Sequence, residues 1–326
     1  MSVLILGAGM AGCVAAHRLV ERGYDPAQVR LVEKGRGVGG RMAVRRVSCD
    51  LGEARFDHGA QFFTSRSDEF LDLVNQAVAA GVVAEWTRGF APEADSFPRW
   101  RGVPGMSSLA KWLLERSGVV AELGYRVDDL ATELARRPAD AVIVTAPVPQ
   151  ALAVLTFGGL LPEPALAGSL AELRYQPTIS VLVVPNTAPV GLPPSGARQF
   201  HDDPEHPDLA FLADNHAKGI SEISALTIHL SHGASNALWG RSDDDVVARA
   251  LAAAAPLVGP AARLPVATQV HRWRFAEPIN CWPESTVVWG SEPVLALAGE
   301  AFAGPKVEGA FRSGRAAADA VLRNLA

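Results

Sequence analysis

Three glycines set between a strand and a helix constrain this chain more than any other feature. Ser2-Val-Leu-Ile-Leu6 is a continuous apolar run and reads as a short buried strand. Gly7-Ala-Gly9-Met-Ala-Gly12 follows at once, and Cys13 to Glu21 has helical composition, with Gly23 placed to end the helix. Val29 to Glu33 is a second strand, so the first 33 residues make a βαβ unit. Gly7 permits the tight turn, Gly9 lets backbone approach a pyrophosphate, and Gly12 lets the helix pack close on the strand. The helix N-terminus then offers free N–H groups to two phosphate charges. Glu33 ends the second strand 21 residues after Gly12, where it can accept hydrogen bonds from ribose hydroxyls and repel a 2′-phosphate. A lone GxGxxG is weak; strand, helix and terminal acid in register make it a dinucleotide grip.

A second glycine loop follows the acid. Arg36-Gly-Val-Gly39-Gly40-Arg41 lies in a stretch, Arg30 to Arg46, with six basic residues and one acid. The whole chain carries 30 Lys+Arg against 35 Asp+Glu, a net charge of −5. A general nucleic-acid partner needs a basic face and does not fit that balance. The local positive field instead suits the same pyrophosphate, which the second loop approaches and Arg41 neutralises.

These motifs, with others in order along the chain, resemble the flavin amine oxidase superfamily, and within it the renalase family. The matching residues are Gly39-Gly-Arg-Met42, Phe56-Asp-His-Gly-Ala-Gln61, Pro104-Gly-Met-Ser-Ser108, Val144-Thr-Ala-Pro-Val-Pro149, His271-Arg-Trp-Arg274 and Gly299-Glu300 with Val307-Glu-Gly-Ala310. The resemblance spans nearly the whole chain, with the two ends most specific and residues 162–265 weakly matched. It implies an α/β fold: a discontinuous, glutathione-reductase-like FAD-binding Rossmann domain (residues 1–75, 100–150 and 270–326). A second, α+β substrate domain with a mixed sheet takes residues 76–99 and 151–269. It implies FAD held by Gly7, Gly9, Ala11, Gly12, Glu33, Lys34, Gly40, Arg41, Met42, Gly59, Ala60, Gln61, Val127, Gly299, Glu300, Val307, Glu308, Gly309 and Ala310. In the family Glu300 bonds a ribityl hydroxyl and the last helix directs its N-terminus to the flavin pyrimidine, where it stabilises the reduced anion. Cys281, in Ile-Asn-Cys-Trp-Pro, does not match the linkage motif of the covalent branch, so the expected flavin is noncovalent.

In the middle, Thr178–Val184 and Ala225–Leu230 read as strands, residues 185–194 as a Pro-rich connector, and Asp243–Leu257 as a helix opened by three aspartates. The uncharged stretch from Ala141 to Leu161 is broken by Pro147, Pro149, Gly158 and Gly159, and reads as strand, turn and short helix, not a membrane span. Cys13, Cys49 and Cys281 lie far apart, without a CxxC pair or disulfide framework, which fits a reducing, cytoplasmic setting. His201, His206 and His216 lie among aspartates in a polar loop without a metal-ligand spacing, so no metal is expected. Ser107-Ser108 reads as a helix cap. His229, at a strand end, and Trp273 are candidates for the substrate cavity; for each, and for Trp282, a core role weighs as much or more.

The expected activity is that of an oxidase: hydride passes from a small reduced substrate to the flavin, and O2 is reduced to H2O2. The renalase resemblance makes that substrate 2- or 6-dihydroNAD(P). The alternatives are an amine oxidase and a flavin-binding protein without turnover. Lys306 bears on the choice. Amine oxidases of this superfamily carry an aromatic residue two positions before the acid of the C-terminal motif, here Glu308, and that residue attracts a cationic amine. A lysine there repels amines and favours an anionic substrate. The oligomeric state stays open.

Overall fold

Val3–Leu6 lies inside a six-stranded sheet in the computed structural model, which describes residues 1–90 and 97–325. The order is Val287–Trp289, Val294–Leu297, Ala141–Val144, Val3–Leu6, Val29–Glu33, Ala121–Leu123. Only the pair at the Val287–Trp289 edge is antiparallel. Leu6 registers with Val32 and Val144, and Val144 with Leu297, so the carboxyl ends of these strands share one edge. The 7–12 loop, the second glycine loop, the Thr145–Pro149 turn and Gly299-Glu300 all leave from that edge, where open α/β sheets bind ligands.

The apolar runs have a simple cause. Val3, Ile5, Ala141, Ile143, Val294 and Ala296 enter one core with helices Met10–Glu21, Ser108–Ser117 and Lys306–Leu325. Leu4, Leu6, Val142, Val144, Leu295 and Leu297 enter another, with helix Val148–Leu155 and Leu170. A strand covered on both faces has no polar position to alternate, and each buried Val, Leu or Ile contributes about 1.5–3 kcal/mol.

The second domain is α+β, as the sequence indicates. Its five-stranded sheet has the order Ala197–Gln199, Leu209–Asp214, Leu226–Leu230, Tyr175–Pro185, Pro265–Pro278. The sheet expected here to be mixed is antiparallel in every pair; the mixed sheet is the six-stranded one. Helix Asp243–Val258 covers one face through Val246, Ala250, Ala254 and Val258. The stretch Asp243–Ala262 is long and apolar enough to cross a membrane by composition alone; here a period-four stripe of it is spent on this core. The opposite face of the sheet, through Leu182, Val184 and Ala225, packs on Val47, Ala54 and Phe56 of the hairpin Val44–Cys49/Gly52–Asp57. That hairpin therefore delivers the segment after Phe56 onto the second sheet. The border expected at residue 270 falls inside strand Pro265–Pro278, which registers against Tyr175–Pro185.

The last helix crosses the first at Gly314, where a Cβ would stand 2.4 Å from the Ala11 carbonyl oxygen. Arg18 closes the same crossing with a two-point ion pair to Asp319, at 2.9 and 3.0 Å. Gly314→Ala is predicted to cost about 1–3 kcal/mol in urea unfolding. Gly168→Ala, on a helix with nothing within 4 Å of the added methyl, should stabilise by roughly 0.4–1 kcal/mol. Equal effects of the two would contradict this packing.

Candidate active site

The first glycine loop is shaped by two contacts and left open at a third place. Gly7 has φ 107°, and a Cβ there would lie 2.6 Å from Thr145 Oγ1; a Cβ on Gly12 would lie 1.9 Å from the Gly7 oxygen. At Gly9 the nearest atom to an added Cβ is Gly40 Cα at 4.0 Å. The protein's own packing does not require glycine at Gly9, whereas a ligand backbone contact does, and the residues fit a bound pyrophosphate. Helix Met10–Glu21, with Ala11 and Gly12 in its first turn, has no side-chain cap and no first-turn acid, so its N–H groups are available to an anion.

The second loop lies directly on the first. Gly39 N donates to Ala8 O at 2.8 Å, and Gly40, at φ 55°, would put a Cβ 3.1 Å from Gly9 Cα. Ser107 packs against Gly39 and makes no side-chain cap for the helix it precedes, contrary to the expected capping role. Met42 is buried, and Arg41 makes a two-point pair with Glu300 and donates to Phe275 O at 3.0 Å. The side chain assigned to the pyrophosphate thus meets the one assigned to the adjoining ribityl chain. Glu33 accepts from Ala8 N at 2.9 Å and Gly35 N at 2.6 Å, which ties the acid to the first loop. Tyr125 N donates to Glu33 O, which brings the Val127 loop beside it; Val127 packs into the core under the sheet. Lys34 donates to Gln150 Oε1 at 3.0 Å.

At the C-terminal motif, Gly299 N donates to Ser313 Oγ at 2.9 Å, and Gly309 is demanded by the Gly304 oxygen, 1.6 Å from an added Cβ. Val307 and Ala310 are buried. The Glu308 oxygens accept from the backbone N–H groups of Arg66 and Ser67, both at 2.8 Å, so its carboxylate is engaged by that turn. Lys306 is exposed, has φ 78°, and makes no hydrogen bond or ion pair among the described residues. Cys281 is exposed with its Sγ 4.0 Å from Glu300 O. Trp282 packs in the core, its N–H donating to Ala301 O at 2.7 Å.

The turn Asp57–Gln61 joins the two domains. Ala60 N donates to Arg41 O at 2.8 Å, and Gly59 is required there, since a Cβ would lie 2.0 Å from that oxygen. From the second sheet and its loops, Trp273 Nε1 (2.8 Å) and Ser180 Oγ (2.7 Å) donate to His58 O, Thr227 Oγ1 donates to Asp57 O at 3.0 Å, and Asn215 Oδ1 accepts from Asp57 N at 3.2 Å. Lys218 donates to Asp57 Oδ2 at 2.6 Å and to Gln61 O at 2.5 Å. Trp273 is thus a clamp on this turn, and the rings of His58, His271 and Trp273 touch at 4.2–5.1 Å. His229 Nε2 lies 3.4 Å from Gln61 Nε2. His58 Nδ1 and Gln61 Oε1 are buried without a partner. Unpaired buried polar atoms cost free energy, and two of them beside Arg41's loop suit a ligand with hydrogen-bonding edges.

Asp57 and His58 lie inside a sequence motif that marks no role for them, and no sequence signal marks Lys218, Asn215, Thr227 or Ser180. Lys218 lies 161 residues from Asp57, and no local pattern marks the pair. Among the described residues no group of His, Cys, Asp or Glu could hold a metal. A cavity of about 690 Å3, lined by Asp25, Arg30, Glu122 and Arg137 among others, opens at the amino ends of the parallel strands, away from this chemistry.

Burial pushes His58 down to about 3, with the His271 and Arg45 charges adding to it. It pushes His229 to about 4; a hydrogen bond to the His58 backbone opposes this and the Lys218 charge reinforces it. Both lie below the usual imidazole value of about 6.5, so between these values the unfolded chain binds more protons. Their contribution to stability is full above about pH 6.5 and is lost as pH falls toward 4 and 3. His229→Gln should therefore lose less stability than wild type between pH 7 and 5 in denaturant titrations. Identical losses would contradict the neutral, buried imidazole.

Residues 98–322 match the family described as flavin containing amine oxidoreductase, and residues 5–77 match an NAD(P)-binding Rossmann-like domain. Among solved structures, the fold is similar to reduced UDP-galactopyranose mutase (TM-score 0.66, 14% identity, covering 100% of this chain and 94% of that one). It is also similar to putrescine oxidase bound to putrescine (0.60, 14%, 99% and 99%). A third is the PF1083 protein from Pyrococcus furiosus (0.55, 11%, 100% and 97%). The chain belongs to the flavin-containing amine oxidoreductase family and is an FAD-dependent oxidoreductase.

Proposed function

We propose that the protein is a renalase-like oxidase that takes a hydride from 2- or 6-dihydroNAD(P), with O2 as acceptor. FAD, when bound, supplies the hydride acceptor and the two-electron reduction of O2 to H2O2. The observation that carries this reading is the enclosure of His229, whose Nε2 faces Gln61 Nε2 at 3.4 Å and which pairs with no carboxylate among the described residues. Burial lowers it to about 4, which makes it a weak base near neutrality. Oxidation of a dihydronicotinamide isomer releases an aromatic cation and needs no proton abstraction, whereas an ammonium substrate must first lose a proton. Lys306 supports the same choice: a cation at the start of the last helix disfavours a cationic amine and favours an anionic dinucleotide. The amine oxidase reading keeps one argument, the likeness of the fold to putrescine oxidase.

In this account the chain's residues bind and orient. The two glycine loops and the first helix hold the pyrophosphate, Glu33 the adenosine ribose, and Arg41 and Glu300 exchange part of their mutual pair for cofactor groups. Trp273 and Lys218 fix the turn that carries Gln61. We read the flavin as noncovalent and the protein as cytoplasmic, in line with three free cysteines; flavin left on an acid-precipitated pellet would contradict the first.

Anaerobic mixing with each reductant tests the function. Fast bleaching of the flavin by 6-dihydroNAD, and none by amines, is expected. Bleaching by an amine alone would overturn the proposal in favour of the amine oxidase; bleaching by neither would leave a flavin-binding protein without turnover. In the same assay Lys306→Met should raise the apparent Kd for the reductant several-fold and flatten its salt dependence, as loss of an exposed steering charge does. An unchanged Kd would remove Lys306 from the substrate's path.

A further inference from the structure

Lys218 lies on the loop between strands Leu209–Asp214 and Leu226–Leu230, outside every motif that names the cofactor site. Its side chain and that of Asp57 are both fully buried, 2.6 Å apart. The ammonium also donates to Gln61 O at 2.5 Å and rests 4.5 Å from the centre of the Trp86 ring. One cation thus holds both ends of the turn Asp57–Gln61. Asp57 carries the constraint further. Its other oxygen accepts from Met106 N at 2.8 Å, and the next residue, Ser107, packs on Gly39 of the second glycine loop. A chain of contacts runs from the second domain through Lys218, Asp57 and Ser107 to the loop that carries Arg41.

Cohesion between domains does not need this pair, because apolar residues of similar volume stabilise as well or better than a buried ion pair. An apolar pair could not donate to Gln61 O and accept from Met106 N together. We propose that Lys218 is a positioning residue of the redox site, setting the place of Gln61 directly and of the Gly39–Arg41 loop through Asp57. For its effect on substrate the proposal rests on the function given above; for its effect on the flavin it rests only on FAD binding.

The test compares Lys218→Met with the double variant Asp57→Asn, Lys218→Met, in apoprotein and FAD-loaded forms. Lys218→Met leaves a buried carboxylate unpaired, so both its melting temperature and its FAD affinity should fall. The double variant removes both charges and should melt within about 5 °C of wild type. It should still bind FAD at least about ten-fold more weakly, with an altered visible circular dichroism of the flavin. Wild-type FAD affinity and dichroism in the double variant would overturn the proposal and leave Lys218 a structural residue. If the double variant does not fold, Lys218→Arg decides, since its larger planar guanidinium cannot take the enclosed ammonium's place against Asp57, Gln61 O and the Trp86 ring without shifting the turn. The same weakening and spectral change are expected, and wild-type values overturn the proposal. These readouts need no substrate, so they stand apart from a failure of 6-dihydroNAD to bleach the wild type.

Discussion

The site depends on the turn Asp57–Gln61 having its backbone polar groups bound from two directions. Arg41 O takes the Ala60 N–H from the cofactor side. Asn215, Thr227, Ser180, Trp273 and Lys218 take Asp57 N, Asp57 O, His58 O and Gln61 O from the second sheet. Asp57, His58 and Gln61 are buried, and each of their polar groups left unpaired would cost about 1–3 kcal/mol. The second sheet is therefore more than a cover: it supplies the partners without which this turn could not be buried beside the glycine loops.

The same burial sets the chemistry. Burial keeps the His58 and His229 imidazoles neutral, with the Lys218 charge reinforcing it at His229, so this face offers hydrogen bonds and aromatic surface with little basicity. The charges at hand are arranged elsewhere: Arg41 against Glu300, and Lys306 exposed at the head of the last helix. That separation sets a weakly basic interior beside an exposed cation, the arrangement on which the proposed anionic hydride donor rests.

What the sequence made legible was whatever backbone geometry fixes locally. Gly7 is demanded by its φ of 107° and Gly12 by the Gly7 oxygen 1.9 Å from an added Cβ, both within a twelve-residue segment, and a spacing motif records such demands. The continuous apolar strands were legible because both faces of the parallel sheet are covered. The antiparallel direction of the second sheet was not, since apolar pattern says which face is buried and nothing about a neighbour's direction. The Glu308 carboxylate meets the Arg66 and Ser67 N–H groups across more than 240 residues, a contact that a motif spacing does not record. Lys218 and Asp57 meet only after the hairpin ending at Asp57 packs on the second sheet, an event with no local signature.

Amide hydrogen exchange on peptides covering residues 56–62 measures the central claim directly. The account predicts that Asp57 and Ala60 N–H groups in the apoprotein exchange as slowly as those of strand Val3–Leu6, because opening the turn requires separating the two domains. Exchange as fast as that of an exposed loop, with the strand still protected, would mean that the second sheet does not hold the turn.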